Sequence, residues 1–153
     1  MSDLQQFSRK MLIVAERIPA GASRVVRAYA GDFHEGAVRG TPVDEGYHRS
    51  NWVITVGGPF NAEITTPYSP GKHLGINETG NADGAIQQGR AALKGHREGV
   101  AIYVTNNGRA IETLNDGYSQ QAPKNFVELA LQQASLRIAL SVQSLLHGGP
   151  FVT

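Results

Sequence analysis

The feature that most constrains the fold is the last stretch of the chain, which is helical in pattern and nearly free of charge. It reads APKNFVELALQQASLRIALSVQSLLHGG, with Pro123 near its start and Gly148 after its end, as at many helix boundaries. From residue 117 onward only three side chains are charged. A helix of this composition is expected to bury most of its surface, against the rest of the chain or against another molecule.

Two apolar stripes run along this predicted helix. The first stripe consists of Phe126, Leu129, Ala130, Gln133, Leu136 and Leu140. The second, offset stripe consists of Leu131, Ala134, Ile138 and Val142. One stripe is enough to dock a helix on its own sheet, so the second predicts a further partner, and we expect self-association. The predicted interface residues are Met11, Val14, Phe126, Leu131, Ile138 and Val142.

The N-terminal forty residues are also predicted to be helical. Leu4, Phe7, Met11, Val14 and Ile18 recur at three- and four-residue steps, which is typical of an amphipathic helix. Pro19 interrupts that pattern, and a second helix is predicted over about 22–39, with a stop at Gly40. We therefore expect one domain, 1–153, with a helical arm over 1–40 and a body over 41–153.

The body is predicted to contain a small, mainly antiparallel sheet. NWVITVG (51–57) alternates as a strand does, and GVAIYVT (99–105) is the clearest second strand. FNAEITT (60–66) is predicted to pair with the first strand through a GGP turn. A Gly/Pro/Asn-rich loop follows, then a short helix capped by Asp83. The predicted class is α+β, with a long N-terminal helical segment and a long C-terminal helix packed on the sheet.

Composition argues against several classes of protein. Lys plus Arg is 14 against 13 for Asp plus Glu, which disfavours a dedicated nucleic-acid binder. Without cysteine there is no disulfide, thiolate zinc site or cysteine nucleophile. The opening MSDLQQFSRKM lacks a signal core, and no apolar run approaches the roughly 20 residues that cross a bilayer. We expect a protein kept in a reducing or cytoplasmic setting, without a membrane partner.

Catalytic and metal motifs are weak. The five histidines form no HxxxH or HExxH pattern, there is no GxSxG elbow, and GINETGNADG lacks the ending of a phosphate loop. A site made of His34, Asp44 and His48 needs a tertiary coincidence, and His34 is expected at the surface or half-buried. We therefore predict no catalytic residues, cofactor or metal. Structural roles are favoured instead, with Asp44 capping a turn at Gly46 and the pair Gln120 and Gln121 bonding the start of the last helix.

Two segments, in this order, resemble one protein family. TPVDEGYHRSNW (41–52) and YVTNNGRAIETLNDGYSQQAP (103–123) are similar to signatures of bacteriophage neck and tail-completion proteins, the minor tail protein Z-like tail components. The second signature likewise leads into a C-terminal helix. The residues that carry the resemblance are Thr41, Pro42, Val43, Asp44, Gly46, Trp52, Asn106, Gln121, Ala122 and Pro123.

The resemblance implies a structural virion protein without catalysis. It would form a homo-oligomeric ring, six copies by family analogy, between the portal–adaptor complex and the tail tube, with DNA passing through the lumen without sequence-specific binding. Trp52 would anchor a corner that joins the first helices to the sheet. Three alternatives stay open: a tail terminator that caps the tube, a small enzyme using His34, Asp44 and His48, and a single-stranded nucleic-acid module.

Overall fold

A computed structural model describes residues 19–73, 75 and 78–151 of the chain. Three long helices, two short helices and two strands make up the regular structure of these residues. In chain order they are α1 (Pro19–Gly40), α2 (Tyr47–Ser50), β1 (Trp52–Val56), α3 (Gly80–Lys94), β2 (Ile102–Asn106), α4 (Ile111–Asn115) and α5 (Phe126–Leu146). The predicted α+β class is confirmed. The predicted helix over residues 4–18, with Met11 and Val14, lies outside the described residues.

Helices α1 and α5 form an antiparallel pair, which is the largest contact between elements. Small residues allow the close approach, because a Cβ added at Gly36 would lie 3.1 Å from the Ala130 Cβ. At the other end of the pair, Val25 of α1 packs with Ile138 and Val142 of α5. Residues 19–40 are helical, and α1 also contacts α3 and both strands.

The main core lies where α1, α3, α5 and the sheet meet. Its buried residues are Ala37, Val38, Trp52, Ala82, Ala85, Ile86, Phe126 and Ala130. Phe126 brings the first turn of α5 against the sheet, and Val127 and Val104 pack on the same cluster. The prediction that the C-terminal helix packs on the sheet is confirmed, although α1 covers most of its length.

The sheet has two strands, and β1 pairs with β2 in an antiparallel register that joins Trp52 to Asn106 and Val56 to Ile102. The prediction that residues 60–66 pair with β1 is wrong. The backbone of Ile54 in β1 bonds the Gln88 side chain instead, with its N–H donating to Oε1 (3.0 Å) and its carbonyl accepting from Nε2 (2.9 Å). An amide from α3 thus takes the place of a third strand.

We expected Gln120 and Gln121 to bond the backbone at the start of α5, but Asn115 does so instead. Asn115, at the end of α4, accepts from the Val127 N–H through Oδ1 (3.0 Å), and its carbonyl accepts from the Asn125 N–H (2.7 Å). The predicted end of the helix is confirmed, because Gly148 follows it with a φ of 75°.

Candidate functional site at the helix-to-strand corner

The corner between α1 and β1 is held by Thr41, the residue directly after α1. Its Oγ1 donates to the Ala37 carbonyl (2.7 Å) and accepts from the Trp52 indole Nε1 (2.8 Å). Thr41 and Trp52 are both buried. One hydroxyl therefore ends the helix and fixes the indole at the beginning of the strand, so the predicted anchoring role of Trp52 is consistent with the structure.

The buried side chain of Arg49 donates hydrogen bonds to backbone carbonyls at the end of α1. Arg49 donates through Nε to the Thr41 carbonyl (3.0 Å), through a second nitrogen to the Arg39 carbonyl (3.4 Å), and through the third to the Glu78 carbonyl. The Glu78 carboxylate lies 3.7 Å away, and both side chains are less than a tenth exposed. Burial lowers the pKa of Arg49, and the charge of Glu78 acts in the opposite direction. The guanidinium thus satisfies the carbonyls that a helix end leaves free.

Gly46 marks the sharp turn before α2. Its φ is 78°, as predicted from the sequence, and a Cβ there would lie only 1.8 Å from the Asn81 side chain. The same Asn81 accepts from the Ser50 hydroxyl (3.1 Å) and from the Ser69 N–H (2.6 Å). Asp44 does not cap this turn, because α2 has no side-chain cap and the Asp44 carboxylate pairs with exposed His73 at 3.0 Å.

The two segments that carry the family resemblance meet at this corner. The Val43 N–H donates to Gln121 Oε1 at 2.9 Å, across 78 residues of sequence. The Asn106 side chain donates to the His48 carbonyl at 3.0 Å, and Asn106 is the register partner of Trp52. The sequence did not reveal these pairings, because separation along the chain carries no information on which polar side chains meet.

The remaining motif residues line the same region. Pro42 and Val43 are buried, whereas Asp44 is exposed. Ala122 is half-buried and packs on the main core, and exposed Pro123 lines a groove between α1 and α5. Of the ten motif residues, most therefore hold the fold together instead of opening into a cleft.

The residues proposed for an enzyme have separate partners. His34 is buried on α1, and its Nε2 donates to the Trp52 carbonyl (3.1 Å), so the expectation of a surface or half-buried position is wrong. His48 stacks edge-on against Tyr47. Burial lowers the pKa of both histidines. Asp44 contacts neither of them, since it pairs with His73.

Across residues 19–73, 75 and 78–151, no group of three or more His, Asp or Glu side chains is placed to hold a metal ion. Within the same residues, no helix combines the length and apolarity needed to cross a membrane.

The outer surface of α5 carries exposed leucines. Leu129, Leu136 and Leu140 are 41%, 61% and 65% exposed and lie on one side of the helix, which we call the leucine stripe. The predicted interface residues Phe126, Ile138 and Val142 are instead buried within the same chain, so they are not available for contact with another copy. Leu131 is half-buried. The helix does carry two apolar faces, and most of the residues that the sequence assigned to an interface lie on the face that the chain itself buries.

A groove of about 500 Å³ runs between α1 and α5 beside the leucine stripe. Its small residues include Gly36 and Ala130, and its rim is charged. Glu35 pairs with Arg39 (2.9 Å) and with Arg90 (3.2 Å). Partial burial raises the pKa of Glu35, but the hydrogen bonds and charges of these two arginines together lower it below its usual value. The rim is thus ion-paired within the chain.

Comparison with known proteins yields no relative: no family model, no curated protein and no solved structure matches this chain.

Proposed function

We propose that this chain is a structural protein of the head–tail junction of a tailed bacteriophage. It acts as a neck or tail-completion protein and assembles into a homo-oligomeric ring, with six copies by family analogy. The observation that carries this proposal is the meeting of the two resembling segments in one corner, through the Val43–Gln121 and Asn106–His48 hydrogen bonds. The segments 41–52 and 103–123, which resemble one family in order, also form one structural unit.

The chemistry of the corner supports a structural role. Its polar side chains bond backbone groups of the same chain, as Arg49 does for the end of α1 and Gln121 for Val43. A catalytic site needs titratable groups that converge on a space where a substrate can bind. His34, Asp44 and His48 do not converge, so no observation favours the enzyme alternative.

The leucine stripe supports assembly. Apolar side chains that are 41–65% exposed along one helix are expected to be covered by a partner. In a ring, each copy presents two different surfaces to its neighbours. We assign the leucine stripe to one of these surfaces. A net charge of +1 suits a lumen through which DNA slides.

The ring is proposed to join the head connector or adaptor proteins to the tail tube within the virion. A tail terminator, which caps the tube end before the head is joined, is the rival within the same class. The two roles differ in the first partner, which is the connector for a neck protein and the tube end for a terminator. Binding of the purified protein to each isolated component separates them.

The proposed function is tested by the mass of the purified protein in solution, followed by negative-stain imaging. We expect rings, or a monomer that forms rings when connector or tube protein is added. A chain that stays monomeric in the presence of both components contradicts the proposal. A control in which the folded state is followed by circular dichroism distinguishes that outcome from misfolding.

A further inference from the structure

The alternation of hydrogen-bonded and non-bonded residue pairs along the sheet determines which backbone groups face outward. The Gly57 N–H donates to the Ala101 carbonyl at 2.8 Å, next to the last paired residues of β1 and β2. Opposed residues in an antiparallel pair alternate between bonded and non-bonded pairs. The bonded pairs are therefore Val53–Thr105 and Thr55–Tyr103. The N–H and carbonyl groups of residues 52, 54 and 56, and of 102, 104 and 106, point away from the partner strand.

The outer edge of β1 is closed by side chains. Gln88 bonds both backbone groups of Ile54, and His34 bonds the Trp52 carbonyl. These contacts leave that edge without room for another strand. The chain thus protects one edge of its sheet with amide and imidazole groups from the neighbouring helices.

The outer edge of β2 has no such protection. In the described part of the chain, the backbone groups of Ile102 and Val104 on that side have no hydrogen-bond partner. The strand, IYVTN, contains no charge and no proline, the devices that usually block strand addition. An open pocket of about 320 Å³ lies beside it, lined in part by Phe33, Val104 and Val127. An apolar side chain from an added strand has space there.

A segment with matching properties lies elsewhere on the same chain. Residues 60–66, FNAEITT, alternate as a strand does but form no strand in the structure. The N–H and carbonyl of Ile64 both bond the Asn51 side chain, at 2.8 and 2.9 Å, so this residue is extended and its two groups face one side. In an extended segment the backbone groups of the neighbouring residues, Glu63 and Thr65, face the opposite side, and among the described residues they have no partner.

This segment is held away from β2 of its own chain. Asn107, directly after β2, donates to the carbonyls of Phe60 and Ala62 at 2.7 and 2.8 Å. Asn51, which holds Ile64, lies directly before β1. Since β1 begins where β2 ends, the segment crosses the end of the sheet and does not run along the open edge. Each chain therefore has an unpaired edge and an unpaired extended segment at different places.

We propose that residues 60–66 of one copy add as a strand to the open edge of β2 in the next copy. The contact is head to tail, so each copy gives one segment and receives one, as a closed ring requires. Backbone hydrogen bonds supply the attraction, and a side chain of the added segment fills the pocket beside Val104. The inference rests on the proposed ring, because it names one of the contacts between its subunits.

Cysteine cross-linking tests this contact, and the chain contains no cysteine that could interfere. Tyr103→Cys labels the open edge, and Asn61→Cys and Thr65→Cys label the segment; all three positions are exposed. Under mild oxidation, a mixture of the Tyr103→Cys variant with one of the segment variants is expected to form a covalent dimer. The double variant Tyr103→Cys/Thr65→Cys is expected to form a ladder of covalent multimers. Gln87→Cys, exposed on α3, replaces Tyr103→Cys in the control mixture and is expected to give no dimer above background.

The outcomes separate this inference from the proposed function. Rings without cross-links from either segment variant overturn strand addition and leave the ring in place. A dimer of Tyr103→Cys with itself, in the absence of a segment variant, also overturns it, because that product indicates twofold pairing of β2. A folded protein that forms neither rings nor cross-links with connector or tube protein present overturns both. Circular dichroism of each variant confirms that it is folded.

Discussion

His34 is the residue whose role was least visible in the sequence. The helical pattern of α1 placed it among half-buried positions, yet its ring lies in the interior and donates to the Trp52 carbonyl at 3.1 Å. Space for the ring comes from Gly89 on α3, where a Cβ would lie 2.8 Å from the imidazole. In the sequence, Gly89 is only a residue of low helix propensity within a predicted helix. Its packing role depends on which helices are neighbours, and periodicity does not contain that information.

The first prediction concerns pH. Burial lowers the pKa of His34 in the folded chain, so folding favours the neutral ring. His34 therefore does not reduce the free energy of unfolding above its unfolded pKa of about 6.5. Below that pH, protonation of the ring favours the unfolded chain and the free energy of unfolding decreases. We expect the free energy of unfolding, measured with urea between about pH 7 and 5, to decrease on acidification.

The variant His34→Gln, which keeps a donor for the Trp52 carbonyl, is expected to be less stable at neutral pH and to show a flatter pH dependence. The pKa of His48 is also lowered by burial, so His48→Gln serves as a matched comparison. Equal slopes for the wild-type chain and the His34→Gln variant contradict this role of His34.

The second prediction is that Gly89→Ala destabilises the fold although alanine is the better helix former. The new Cβ would lie 2.8 Å from the His34 ring and 3.0 Å from Ile54 Cδ1. Overpacking of this kind costs about 1–3 kcal/mol, against a gain in helix propensity of about 1 kcal/mol. Gly31→Ala is the control, because its Cβ meets only the end of the Leu93 side chain at 3.3 Å. A thermal melt in which both variants gain stability would contradict the prediction.

At the scale of elements, the three long helices and both strands were predictable, and the partner of β1 was not. The stop at Gly40 and the strand near residues 99–105 follow from local chemistry that the structure confirms. Residues 60–66 have the pattern of a strand, but Gln88 occupies the edge of β1 that they were expected to pair with. A polar residue on a helix face gives no sign in the sequence that it bonds a strand.

The third prediction tests the buried pair that closes α1. Arg49→Met removes the donor to two carbonyls at the helix end and leaves the Glu78 carboxylate buried without its cation. Removal of one partner of a buried ion pair costs about 3–5 kcal/mol. The double variant Arg49→Met/Glu78→Gln is expected to recover part of that loss, because it removes the uncompensated charge. Urea unfolding of the single and double variants measures the coupling, and additive effects rule out the pairing.

At the scale of the whole molecule, the sequence predicted that α5 has more apolar surface than one partner can cover, and the structure of the chain agrees. The sequence did not indicate which face of α5 is buried against the rest of the chain. The first stripe is itself divided, because Gly36 and Gly40 on α1 admit Ala130 and Phe126 at close distance, whereas the leucines of that stripe stay exposed. The buried face is therefore the one with residues that fit the glycines of α1, and the longer leucines lie outside.

The last prediction uses this division of α5 into two faces. Leu136→Gln/Leu140→Gln changes side chains that are more than half exposed, so the free energy of unfolding of the monomer should change by no more than about 1 kcal/mol. Loss of two apolar anchors from an interface is expected to weaken assembly at least tenfold, since each anchor contributes about 1 kcal/mol or more. Sedimentation of the variant against the wild-type chain measures this effect.

Two controls separate assembly from folding in that experiment. Ile138→Ala, on the buried face, is expected to cost about 2–5 kcal/mol in monomer stability. Leu146→Gln is equally exposed but lies at the end of the helix, away from the leucine stripe, and should leave assembly intact. If the double variant assembles as the wild-type chain does, the leucine stripe is not a subunit contact. The open edge of β2 then remains as the proposed subunit contact, because the outward backbone groups of Ile102 and Val104 have no partner among the described residues.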